Sequence, residues 1–208
     1  MIAAMMVAAI SANAQNEVGQ LTLMPKAGIN ISSITGDGEG KKAKVGLVAG
    51  VEAEYGVSEN FGVQFGLLYS QQGVKGKNTG FGELDFDEND NVVGGWAFSC
   101  DATMKLDYIN IPILAQYYVV KGLAIKAGIQ PAFNVRGKWS VDGNSGKMKD
   151  LGFEPKAFNF SIPVGLSYEY QNFVLDARYN IGVTKLVKDA DQGRNSTFAI
   201  TLGYKFAL

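Results

Sequence analysis

From Leu21 onward, apolar and polar residues alternate with a period of two in eight separate segments, which restricts the chain to β-strands with two chemically different faces. Segment 157–170 is the clearest. Phe158, Phe160, Ile162, Val164, Leu166, Tyr168 and Tyr170 share one face, and Asn159, Ser161, Gly165, Ser167 and Glu169 share the other. The same alternation runs through 21–33, 43–55, 61–72, 122–136, 172–185 and 196–208. It is less regular in 105–118, where Pro112 removes a ladder donor and predicts a bulge or local distortion. Most segments reach ten residues or more. Globular strands average about 5–6 residues, whereas a tilted strand needs roughly 9–11 to cross a bilayer.

The connections alternate in length. Residues 56–60, 119–121 and 171–172 are short turns, and 34–42, 73–104, 137–156 and 186–195 are long loops. With an even number of strands, all short turns and both ends of the strand array fall on one side. Short turns on one side and long loops on the other characterise outer-membrane barrels. The expected fold is therefore all-β, an eight-stranded antiparallel up-and-down transmembrane β-barrel.

Charge decides which face meets lipid. One face is almost purely Leu, Ile, Val, Ala, Phe and Tyr, while the other carries Lys26, Lys44, Glu52, Glu54, Lys126, Arg136, Glu169, Asp176, Arg178 and Lys205. Charges at bilayer depth are costly, so the charged face is expected to line the interior as a network of opposite signs. A barrel of this strand number is filled by its side chains and leaves no wide channel. Tyr55, Phe61, Tyr117, Tyr118, Tyr168, Tyr170, Phe173, Tyr204 and Phe206 lie near strand ends, as expected of an interfacial aromatic girdle. A soluble ligand-binding barrel would need the two faces reversed, and the long strands and alternating loop lengths argue against it.

The N-terminus has a different character. The apolar run from Ile2 to Ile10 is followed by Ser11-Ala12-Asn13-Ala14, with small residues where a signal peptidase requires them. This predicts a signal peptide over 1–14, cleavage between Ala14 and Gln15, and a mature barrel domain over 15–208. The run is too short to span a bilayer, and no later segment reaches 18 unbroken apolar residues.

Catalytic patterns are sparse. The chain has no histidine, which removes Ser-His and Cys-His nucleophilic sites and imidazole metal sites. Glu52 and Glu54 share a face as an acid-base pair would, but ion pairing with nearby cations is the plainer reading. Asp85, Asp87 and Asn89 are spaced like the start of a calcium loop, yet Asp90 replaces the required glycine and Trp96 the closing glutamate, so a solvated acidic loop is expected. The single Cys100 forms no internal disulfide and reads as a small residue in a loop or at a strand end. Lys41, Lys42, Lys44, Lys75 and Lys77 fall near the outer rim, where lysines either pair with lipopolysaccharide phosphates or stay solvated. Trp96 and Trp139 fall in or beside long loops, suited to partner contact, the membrane interface or loop packing. No catalytic residue, cofactor or metal is expected. The net charge of -1 gives no sign of a nucleic-acid partner.

Several stretches carry a family resemblance: the Ala14-Gln15 start, KAGINIS from Lys26, FGVQFGLLYSQQG from Phe61, LDYINIPILAQYY from Leu106, LAIKAGIQPAF from Leu123, and TFAITLGYKF near the C-terminus. Together they resemble the PorT-like outer-membrane barrel family of Bacteroidetes, with Tyr108 to Leu114 the most specific piece. The resemblance implies an eight-stranded barrel at the bacterial outer membrane and no single activity. The expected protein is a non-enzymatic integral barrel with a structural role or one exercised through its loops. A narrow porin-like channel for ions or small solutes is the alternative. Its expected partners are outer-membrane lipid, lipopolysaccharide and a protein held by the long loops, and the barrel itself is expected to be monomeric.

Overall fold

The computed structural model describes residues 18–35, 41–86, 92–141, 144–147, 156–184 and 194–208. Its strands are β1 (Leu21–Thr35), β2 (Lys41–Ser58), β3 (Phe61–Phe86), β4 (Val92–Asn110), β5 (Ile113–Val120), β6 (Leu123–Val141), β7 (Asn144–Lys147), β8 (Phe158–Tyr170), β9 (Phe173–Gly182), β10 (Arg194–Tyr204) and β11 (Phe206–Ala207). Residues 1–14, the proposed cleavage point after Ala14, and Gln15 lie outside the described residues.

All the pairings are antiparallel, and they close a ring of eight. β4 and β5 form one wall strand, interrupted at Ile111-Pro112, where proline has no N–H to give. Across the break, Pro112 accepts a hydrogen bond from Gly66 N–H at 3.1 Å. The ring closes where β1 meets β10, from Lys26 opposite Gly203 to Thr35 opposite Arg194, and β11 extends that seam at Thr22 and Leu23.

Short turns at Glu59-Asn60, Lys121-Gly122 and Gln171-Asn172 lie at the end where β1 begins and β11 finishes. Gly122 takes φ +81°, a left-handed conformation that only glycine adopts without strain. Inside the ring, a Cβ on Gly50 would lie 2.1 Å from the Leu67 carbonyl oxygen, so glycine allows the strands to approach and curve there.

The alternation fixes two environments. On β2, the outward residues Val45, Leu47, Val51 and Tyr55 are exposed, whereas Lys44, Val48, Glu52 and Glu54 are buried. The roughly ten residue steps from Val45 to Tyr55 rise about 3.3 Å each, and a tilt of about 40° projects them to about 25 Å, the height of an outer-membrane apolar band.

The connection expected as a loop over 73–104 is a β-hairpin instead. β3 and β4 stay paired as far as Phe86 opposite Val92. Above Gly76 and Ala102 neither strand has another partner among the described residues, so the hairpin continues as a two-stranded ribbon. From Gly76 to Phe86 it covers about 33 Å of strand. Cys100 lies within this ribbon, opposite Thr79, rather than in a loop. Trp96 lies opposite Glu83, and Asp85 opposite Gly94, while 87–91 lie outside the described residues. The loop expected over 137–156 is also partly strand, because β6 runs to Val141 and pairs with β7.

Candidate functional site: the barrel lumen and its outer mouth

The lumen is layered. At the short-turn end, Glu54 from β2 and Glu169 from β8 converge on Lys205, between β10 and β11. Lys205 Nζ lies 3.0 Å from Glu54 and 2.6 Å from Glu169. Tyr118 of β5 sits between the carboxylates, its hydroxyl 3.1 Å from each and accepting a hydrogen bond from Lys205 at 2.8 Å. Gln64 and Gln116 donate to the two oxygens of Glu54 at 2.8 and 2.9 Å.

One layer up, Glu52 faces Arg178 of β9 across the barrel, at 2.9 Å from Nη1 and 3.3 Å from Nη2. Lys26 donates to Glu52 at 3.1 Å. Asp176 accepts from Arg178 at 3.1 Å and Lys126 at 2.9 Å, and lies 3.6 Å from Lys26. These two layers bring together four cations and four carboxylates. The upper group carries one excess positive charge and the lower one excess negative charge, so the lumen balances as a whole. Buried ion pairs persist when additional hydrogen bonds satisfy the charged groups, and here Glu52 accepts three while Glu54 takes two glutamine amides besides its lysine.

Above the charges, Val48, Leu68 and Ala199 form an apolar cluster. A cavity of about 20 Å³ lies among these residues, Arg178, Asn110, Asn180 and Thr201, which is room for one water. Higher still, Ser70 accepts hydrogen bonds from Asn30 at 2.8 Å and Gln72 at 3.0 Å, and Asn195 donates to Gln72.

Four sequence expectations change. Tyr118 does not join the girdle: it is 6% exposed and points into the lumen, whereas Tyr117 is 49% exposed. Adjacent strand residues face opposite ways, so only one of the two can meet lipid. Arg136 is not part of the interior network, since its side chain is 59% exposed and lies 4.0 Å from Asp107. The cause is a bulge, because Asp107 pairs with Arg136 while Tyr108 pairs with Asn134, leaving Val135 extra and reversing the facing of β6 beyond it. The same reversal turns Trp139 toward Leu106, Tyr108 and Met104 rather than leaving it in a loop. Lys44 is buried but lies at the mouth, apart from the two ion-paired layers.

Tyr55, Tyr168, Tyr170 and Phe173 are exposed near the short-turn end, and Phe61, Tyr204 and Phe206 are half-buried there. Phe173 and Tyr204 meet edge to face at 5.1 Å, and Tyr204 and Phe206 pack at 4.8 Å.

The sequence reading missed a cleft at the outer mouth. Lys44, Lys105, Arg136 and Lys138 line a space of about 430 Å³ together with Val45, Gln71 and Asp107. Lys138 belongs to a segment read as a loop, Lys105 to the first position of one read as a strand, and the bulge that turns Arg136 outward leaves no periodic signal.

The fold is shared with solved structures. Ail, the attachment invasion locus protein of Yersinia pestis, superposes with a TM-score of 0.51 at 19% identity, over 91% of this chain and all of that one. Neisserial surface protein A gives 0.50 at 14% identity, over 89% of this chain and 97% of that one. Both likenesses show the fold alone. No curated protein matches the chain in sequence. The family model described as "Outer membrane protein beta-barrel domain" matches residues 13–188, most of the chain. With the closed ring, the apolar outer band and the charged lumen, this match establishes that the chain belongs to the outer-membrane protein β-barrel domain family.

Proposed function

We infer that this protein is a non-enzymatic integral barrel of the bacterial outer membrane, exported by a cleaved signal peptide, that acts as a structural or interaction protein through its outer surface. The observation that carries this reading is the filled lumen: two layers of interlocked charges, an apolar layer above them, and a 20 Å³ cavity between. Work is then left to the outer side, where the β3–β4 ribbon offers a protein partner two strand edges that are unpaired among the described residues. Outer-membrane lipid, including lipopolysaccharide, surrounds the apolar band. A monomer suits a ring with no unpaired edge in the membrane-spanning zone. The quoted stretches, above all Tyr108 to Leu114, favour the PorT-like outer-membrane barrel family of Bacteroidetes.

A second reading, a narrow channel for ions or small solutes, draws on one feature. Asn110 Oδ1, Asn180 Oδ1, Thr201 Oγ1 and Arg178 Nε have no protein partner and all border the interior cavity, so a short polar file exists there. Planar-bilayer recording of the purified protein separates the two readings. The plugged barrel gives no stable conductance steps, whereas steady ion-conducting steps would replace it with the channel.

A further inference from the structure

The cleft at the outer mouth has a charge composition that folding alone does not favour. Four cations line it against, among the described residues, one carboxylate. Asp107 is 4.0 Å from Arg136, and Lys105 lies directly opposite Lys138 in the β4–β6 ladder. Like charges at opposed positions destabilise a sheet. Lys44 reaches the cleft where the β2–β3 ladder is interrupted between Ala43 and Val48, its stem passing Gly73. A break in the wall, a bulge and an unfavourable lysine pair thus meet at one place.

The level of that place points to an occupant. Asp107 and Arg136 are opposed in the ladder immediately above the row of Ile109 and Phe133, whose outward side chains belong to the apolar band. One row spans about two residues, or about 7 Å of strand. The cations therefore sit at headgroup depth and open sideways toward the leaflet. Arg and Lys at such a depth match a phosphate by charge-assisted hydrogen bonds.

We propose that Lys44, Lys105, Arg136 and Lys138 form a lateral site for the phosphate headgroup of an outer-leaflet lipid. The inference rests on the outer-membrane reading above and adds to it a ligand class and a place. The lipid phosphate supplies the negative charge that the cleft lacks, and its chains lie against Val45, Ile109 and Phe133.

The test uses the full mature chain, refolded into phosphatidylcholine vesicles with or without phosphatidic acid and then examined by native mass spectrometry. Heat-modifiable mobility is recorded first; a chain that does not become heat-modifiable in vesicles sinks the barrel reading itself, and this inference with it. With a folded barrel, preferential retention of phosphatidic acid over phosphatidylcholine is expected. Lys105→Gln/Lys138→Gln should weaken that preference by about tenfold for each contact removed, and Lys121→Gln, at the opposite end, should leave it unchanged. Equal retention by wild type and the double variant would overturn the proposal. So would displacement by inorganic phosphate at matched concentration, which would make the site one for a soluble anion.

Discussion

Replacing Glu52 by glutamine removes the acceptor on which two buried cations converge. Glu52 takes three hydrogen bonds, two from Arg178 at 2.9 and 3.3 Å and one from Lys26 at 3.1 Å. Its layer holds Lys26, Lys126 and Arg178 against Glu52 and Asp176, an excess of one positive charge that becomes two in the variant. Breaking a buried pair from one side costs about 3–5 kcal/mol. Asp176 still holds Arg178 and Lys126, so the lower end of that range, about 3 kcal/mol, is expected. Urea unfolding in lipid vesicles, followed by loss of heat-modifiable mobility, measures the loss. Glu52→Gln/Arg178→Gln restores the original local charge, so the double variant should lose about 2 kcal/mol less than the sum of the single ones. A single-variant loss below about 1 kcal/mol, with additive effects in the double, would refute the reasoning, since such behaviour is that of solvated pairs.

Other predictions follow from single contacts. Tyr118→Phe removes a hydroxyl that contacts Glu54, Glu169 and Lys205, and should cost about 1–3 kcal/mol in the same unfolding assay, against under about 0.5 for Tyr117→Phe on the lipid side. Equal effects would contradict the inward placement of Tyr118. Gly50→Ala puts a Cβ 2.1 Å from the Leu67 carbonyl and should destabilise by about 1–3 kcal/mol through forced strand separation; an unchanged midpoint would show that the wall yields freely. Intact-mass measurement of the exported protein should give a chain beginning at Gln15, and a retained N-terminal segment would remove the signal-peptide reading.

The transmembrane part of this fold was legible because lipid outside and a packed lumen inside impose opposite chemistry on successive residues. The alternation from Phe158 to Tyr170 survives unchanged in β8. The ribbon above the membrane was not legible. Its Gly, Asn and Asp content reads as loop. Arg136 was misplaced because a bulge reverses parity without changing composition. Tyr118 was misplaced by grouping it with its neighbour Tyr117 at the strand end. Its spacing of two from Gln116 and four from Leu114, both buried in the lumen, was the signal that would have turned it inward. The four-cation cleft depends on pairing between β2, β3, β4 and β6, which no local stretch of sequence encodes.

The charged face of every membrane-spanning strand points in and the apolar face meets lipid. Expressing the precursor in a Gram-negative host and fractionating its membranes tests this most directly. A heat-modifiable band in the outer-membrane fraction that resists alkaline extraction is expected. A soluble monomeric protein in the periplasmic fraction would contradict it and require the two faces of every strand to be exchanged.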